Sequence, residues 1–112
     1  MTSPTTSPPV ITTDLVLLDT DVDGDKQAVI TRLAGSLAAA GRTSDAAGLI
    51  GAAMAREEQS ATGLPGGIAI PHCRSPYVDT PTIGFARLRP AVDFGAPDGP
   101  ADLAFLIAAP DS

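Results

Sequence analysis

Gly63-Leu-Pro-Gly-Gly67, with the run behind it, Ile68-Ala-Ile70, Pro71 and His72, separates a helical half of the chain from a half built of strands. Clustered glycine and proline interrupt regular structure, so this stretch is a boundary. Ile68 to Ile70 reads as a short buried strand stopped by Pro71, which has no N–H to offer a sheet. Upstream, apolar residues at 30, 33, 34, 37 and 38 line one helical face and Gly41 follows as a stop, which predicts a first helix over about 25–40. Thr43-Ser-Asp45 supplies the cap of a second helix, whose inward face is Ala46, Leu49, Ile50, Ala53 and Met54 and which fades near Glu58. Downstream, Thr82 to Leu88 alternates in strand fashion through Ile83 and Phe85, and Asp102-Leu-Ala-Phe-Leu-Ile107 is the most hydrophobic strand of the chain. One earlier strand, Leu15 to Leu18, is broken by the acidic stretch Asp19 to Asp25. Helices early and strands late predict an α/β domain, a mixed β-sheet flanked by helices, with a strand order that one sequence does not reveal.

The chain has 112 residues, enough for one domain with a modest core. Aromatic residues are 4% and Trp is absent, so the interior must be aliphatic, and neither a base-stacking platform nor an aromatic sugar-binding surface is expected. Against 13 acidic residues stand 7 basic ones, and the net charge of −6 repels nucleic acid and anionic lipid while favouring a partner with a basic face. The single Cys73 excludes an internal disulfide, and no secretory pattern is visible, which fits a cytoplasmic location. No apolar run approaches the roughly 20 residues of a membrane span, although tethering to a membrane domain is compatible with the sequence. Residues 1–10, rich in Pro, Ser and Thr, have little to bury and read as a disordered leader to a domain over 11–112. Ser112 closely follows the last apolar strand, leaving no later element for that strand's second face, so the domain reads as C-terminally incomplete.

Two clusters invite functional readings. Asp19, Asp21, Asp23 and Gly24 match the opening of a calcium loop, but the twelfth position counted from Asp19 is Ile30, where a bidentate Glu is required. The carboxylates are instead expected before a helix N-terminus, where the dipole and unpaired N–H groups favour negative charge. His72 is the only histidine and is flanked by a Gly-rich turn and by Arg74. A neutral imidazole has a nitrogen lone pair that attacks phosphorus without a separate base, and phosphoryl transfer asks for little beyond positioning and stabilised equatorial oxygens, which backbone N–H groups and arginines supply. One histidine makes no conventional metal site. Adjacent residues of a strand point to opposite faces, so Cys73 joins His72 neither as a ligand nor as a dyad and is read as a small, partly buried residue. No cofactor is expected. Arg56, beside Glu57 and Glu58, reads by itself as a solvated charge.

The stretch from Gly67 through Pro71, His72, Cys73 and Arg74 to Pro76 resembles the signature around the phosphorylated histidine of the fructose/mannitol-type enzyme IIA family of bacterial sugar phosphotransferase systems (type 2). Arg56-Glu-Glu58, Thr62-Gly63, Val92 to Gly99 and Leu103 to Pro110 resemble the family in the same order, so the likeness covers about Leu15 onward, and the pattern of the second block is closer to the fructose enzymes than to nitrogen-regulatory relatives. The resemblance implies a phosphoryl relay: the carrier HPr donates from its phosphohistidine, His72 accepts on Nε2, and a cysteine of enzyme IIB receives the group, with a membrane IIC domain fused or associated. It further implies that Arg56 contacts the phosphoryl group, for which a planar guanidinium is suited, and that Thr62 lies close to the site. Cys73 and Ala61 replace residues more usual in the family and receive no role. The family's second active-site histidine falls beyond the Leu103 to Pro110 block and outside these residues, which predicts poor phosphoryl acceptance and low stability for them taken alone. A regulatory module, in which phosphorylated His72 switches binding to a transcription or nitrogen-control partner, is the rival, and a degenerate remnant is the third reading.

Overall fold

A computed structural model describes residues 9–22 and 24–110. Its elements are β1 (Val16–Thr20, after a 3-10 turn at Thr13–Leu15), α1 (Lys26–Ala39), α2 (Ala46–Gln59), β2 (Gly63–Leu64), β3 (Ile68–Ala69), β4 (His72–Ser75), β5 (Thr82–Val92) and β6 (Ala101–Pro110). Both helices begin where a carboxylate can answer the unpaired N–H groups of a first turn. The Asp25 side chain accepts from the Ala28 N–H, and that of Asp45 from the Gly48 N–H. The expected mixed sheet is present, in the order β1-β5-β6-β3-β2, with β4 also paired to β6. β5 and β6 form its long antiparallel centre, β1 joins β5 in parallel, and β3 and β4 both run parallel to β6.

Pro71 interrupts the chain without ending its path along β6. Ile68 is in register with Leu103, and His72, four residues on, with Ile107, so the chain resumes the same partner after the proline. The Pro71 carbonyl still accepts from the Ile107 N–H at 2.9 Å. His72 therefore opens a strand, where the sequence placed it just past the end of one.

The helices cover one face of the sheet. Gly84, Ala86, Leu88, Ala104, Leu106 and Ala108 alternate inward, and a Cβ at Gly84 would stand 2.8 Å from a Leu37 methyl of α1. Leu33, Leu37, Leu49 and Ala53 meet these strand residues in a single core cluster. The other face carries Ile83, Phe85 and Phe105, half-buried, and Ile107, 36% exposed; the two phenyl rings pack with centroids 4.9 Å apart. No helix among the described residues is long and apolar enough to cross a membrane.

One expectation changes. Asp19 lies in β1 rather than before the helix, and its carboxylate pairs with Arg87 at 3.2 Å and Arg89 at 3.3 Å, because parallel pairing with β5 brings those arginines alongside. Asp23 lies outside the described residues. Most of the leader, residues 1–8, lies outside them too. Pro9 and Val10 are described, and their carbonyls accept from Arg42 at 2.8 Å and from the Ile83 N–H at 2.8 Å.

The Gly63 backbone runs against the segment after β5, its N–H bonded to the Phe94 carbonyl at 3.0 Å. A Cβ at Gly63 would meet Phe94 O at 2.6 Å and Ala96 N at 2.8 Å, both main-chain atoms with no rotamer to give way. Gly63→Ala is expected to cost about 1–3 kcal/mol, as forced insertions into packed interiors do. A thermal melt within error of the wild type would contradict this close approach.

Candidate functional site

β4 presents its side chains alternately: Cys73 and Ser75 are buried toward the core, while His72 is half-buried and Arg74 exposed on the other side. A cavity of about 660 Å³ opens there, lined by Ala52 and Arg56 of α2, by Ile70, His72, Cys73 and Arg74, and by Ile107 and Ala109 of β6. Folding thus brings His72 and Arg56, 16 positions apart in the chain, to one cavity.

The imidazole is held by its own strand entry. His72 Nδ1 lies 2.9 Å from the Ile70 carbonyl oxygen. A carbonyl only accepts, so Nδ1 carries the proton in this contact and the neutral ring keeps its lone pair on Nε2. Pro71, its φ fixed by the ring, is the single residue between the two partners of this local contact. Arg56 stands in the last turn of α2, where a cation complements the helix dipole, and donates to the Ser60 carbonyl at 2.9 Å. One of its five N–H donors is used there, leaving the fork able to meet an anion in the cavity.

Arg74, which the sequence marks only as a neighbour of His72, lines the same cavity. The signal was available: two positions along a strand return to the same face, so a strand starting at His72 carries Arg74 beside it. Thr62 stands directly behind the cavity, its carbonyl accepting from the N–H of the lining residue Ile70 at 3.1 Å. It is buried, it is absent from the cavity lining, and its hydroxyl donates to Glu57 Oε1 at 2.6 Å. Glu57, named from sequence only as a neighbour of Arg56, is 3% exposed. Its position follows from helical phase, because Leu49, Ala53 and Glu57 succeed one another at intervals of four on the inner face.

Burial pushes the Cys73 thiol up from 9.0 to about 11. The neutral thiol therefore favours the folded state below pH 9 or so, and that contribution is lost as pH rises toward 11, where the buried thiol must ionise. Alkylation of Cys73 in the folded protein is expected to remain slow at pH 8 and to quicken only near pH 11; rapid labelling at pH 8 would contradict it.

Comparison with known proteins gives a consistent answer. Residues 9–112 match the family described as the phosphoenolpyruvate-dependent sugar phosphotransferase system, EIIA 2. The chain is 42% identical over 86 residues to the fructose-specific EIIABC component of Bacillus subtilis (strain 168), covering 76% of this chain and 14% of that protein. It is 42% identical over 72 residues to the fructose-specific EIIA component of Haloferax volcanii, covering 63% of this chain and 47% of that one. It therefore spans less than half the length of either relative. The solved structure of nitrogen regulatory protein IIA-Ntr from Neisseria meningitidis superimposes with a TM-score of 0.83 at 33% identity, covering 92% of this chain and 70% of that one. With a family match over nearly the whole chain and a mixed sheet shared with a solved member, this chain belongs to the type-2 EIIA family of the phosphoenolpyruvate-dependent sugar phosphotransferase system.

Proposed function

We propose that His72 accepts a phosphoryl group on Nε2 from phosphorylated HPr and passes it to a cysteine of an enzyme IIB in fructose-type sugar uptake. The observation that carries this reading is the hydrogen bond from His72 Nδ1–H to the Ile70 carbonyl, in a residue lining the same cavity as Arg56 and Arg74. The lone pair of Nε2 forms a bond to phosphorus as the P–N bond of the donor breaks and the donor imidazole leaves with that electron pair. The three equatorial oxygens gather charge in the transition state, and two guanidiniums at the cavity are suited to it. In onward transfer a thiolate sulfur forms the bond to phosphorus as the P–Nε2 bond breaks, and His72 leaves with that electron pair. The location consistent with this reading is the cytoplasmic face of the membrane, with IIB and IIC domains fused or associated, as the name of the Bacillus relative joins A, B and C.

A regulatory role without sugar transport is favoured by one observation, the likeness to the Neisseria nitrogen regulatory protein. The two readings part at the next acceptor. Phosphorylated protein mixed with a fructose-type IIB is expected to lose its label to the IIB cysteine; a label that stays on the chain favours regulation.

Arg56→Ala is expected to slow phosphoryl acceptance by roughly 10²-fold, the scale of removing one preorganised charge stabiliser, with the thermal transition little changed. An unchanged rate would reduce Arg56 to a cap of its own helix.

A further inference from the structure

The least expected group in the fold is a carboxylate buried under α2. The Glu57 side chain is 1% exposed, and a charge taken out of water is tolerated only where donors answer it. Three do. The Thr62 N–H donates to Oε2 at 2.9 Å, the Thr62 hydroxyl to Oε1 at 2.6 Å, and Lys26 Nζ to Oε2 at 3.4 Å. Thr62 is thus gripped by both its main chain and its side chain, immediately before the Gly-rich turn.

What Thr62 holds in turn leads to the imidazole. Its carbonyl accepts from the Ile70 N–H at 3.1 Å, which clamps the two ends of the β2–β3 hairpin, where Gly63 is in register with Ala69. The carbonyl of that same Ile70 accepts from His72 Nδ1 at 2.9 Å. One residue at each link therefore connects the buried carboxylate to the ring: Glu57, Thr62, Ile70, His72. The Ile70 carbonyl can select the Nδ1–H tautomer only if it is itself held, and its residue is held from the N–H side by Thr62.

We infer that Glu57 is a positioning residue for His72, acting through Thr62 and Ile70 to keep the ring in the tautomer whose Nε2 lone pair is available. The inference rests on the proposed reading of His72 as phosphoryl acceptor, but its primary test does not require phosphate. Because His72 is the only histidine, its ring nitrogens give the only imidazole signals in a long-range 1H–15N correlation spectrum of the protein. Thr62→Val removes the hydroxyl at nearly constant volume, Thr62→Ser keeps it, and Glu57→Gln keeps the side-chain shape while removing the charge and one acceptor oxygen.

The wild type and Thr62→Ser are expected to show Nδ1 protonated and Nε2 unprotonated in the neutral ring. Thr62→Val and Glu57→Gln are expected to shift the ring measurably toward the other tautomer and to slow phosphoryl acceptance about tenfold, within the roughly 10²-fold that small misplacements of reacting groups cost. A wild-type tautomer ratio in either variant that keeps the wild-type backbone spectrum overturns the inference. So does a Thr62→Ser protein that shifts the ratio as far as Thr62→Val does, since the hydroxyl would then be irrelevant. Tautomer shifts in the expected variants of a protein that never takes phosphate would uphold the positioning while refuting the phosphocarrier reading, so the two failures are distinguishable.

Discussion

His72→Ala is expected to abolish phosphoryl labelling by phosphoenolpyruvate, enzyme I and HPr, with no residual slow phase. The reason lies in what else lines the cavity. Arg56 and Arg74 are cations without a lone pair, and the remaining lining residues are Ala, Ile and Cys. Cys73 does not take over, because its thiol is pushed up to about 11 and stays neutral at pH 7. The half-buried His72 contributes one local hydrogen bond to the fold, so the alanine variant is expected to melt close to the wild type. Intact-mass measurement after incubation checks the loss. An alanine variant labelled to the wild-type extent would remove His72 from the reaction.

The second large effect is on stability. Phe94→Ala is expected to cost about 3–5 kcal/mol, the range for emptying a buried aromatic site, against a total stability of about 5–15 kcal/mol for a domain. Phe94 is 0% exposed and heads the fully buried side chains of the core. It sits in a turn after β5, between Asp93 and Gly95, whose N–H donates to the Asp93 carboxylate at 2.7 Å, and its own carbonyl takes the Gly63 N–H. Truncation thus empties the core at the point where the later half of the chain is tied to the Gly-rich turn before His72. An unfolding free energy, from denaturant titration, lowered by less than about 1 kcal/mol would mean that the 92–99 segment is not part of the core.

The burial of Phe94 also shows where reading the sequence stops. A Phe among Gly, Pro and Asp carries no periodicity, and nothing local reveals that a distant glycine has vacated room for its backbone. The helices were legible because their signals are local: Asp25 and Asp45 each accept from the N–H three residues on, and apolar residues return every three or four positions. The long strands β5 and β6 were legible by alternation and hydrophobicity. Their extent was not, since β5 reaches Val92 and β6 starts at Ala101 through pairing with each other.

At the site, His72 and Arg56 came from the family resemblance, and the structure gives that pairing a place by bringing them to one cavity. Arg74 and Glu57 were within reach of periodicity alone, one by the strand repeat of two and the other by the helix repeat of four. Beyond that repeat, nothing local singles out Glu57 for burial, since a carboxylate ordinarily seeks water. The donors that make its burial tolerable come from Lys26 and Thr62, and the approach of Lys26, 31 positions away, is a tertiary fact. The resemblance puts Thr62 close to the site, and its hydroxyl belongs to the network behind the cavity.

The central claim is that phosphorus is carried by His72 at Nε2. The measurement that tests it most directly is the long-range 1H–15N spectrum of the protein after phosphorylation by phospho-HPr, read beside tandem mass spectrometry of the labelled peptide. The expected result is one acid-labile phosphoryl group, on His72, coupled to Nε2 with Nδ1 still protonated against the Ile70 carbonyl. Phosphorus on Nδ1, on another residue, or on none would contradict it.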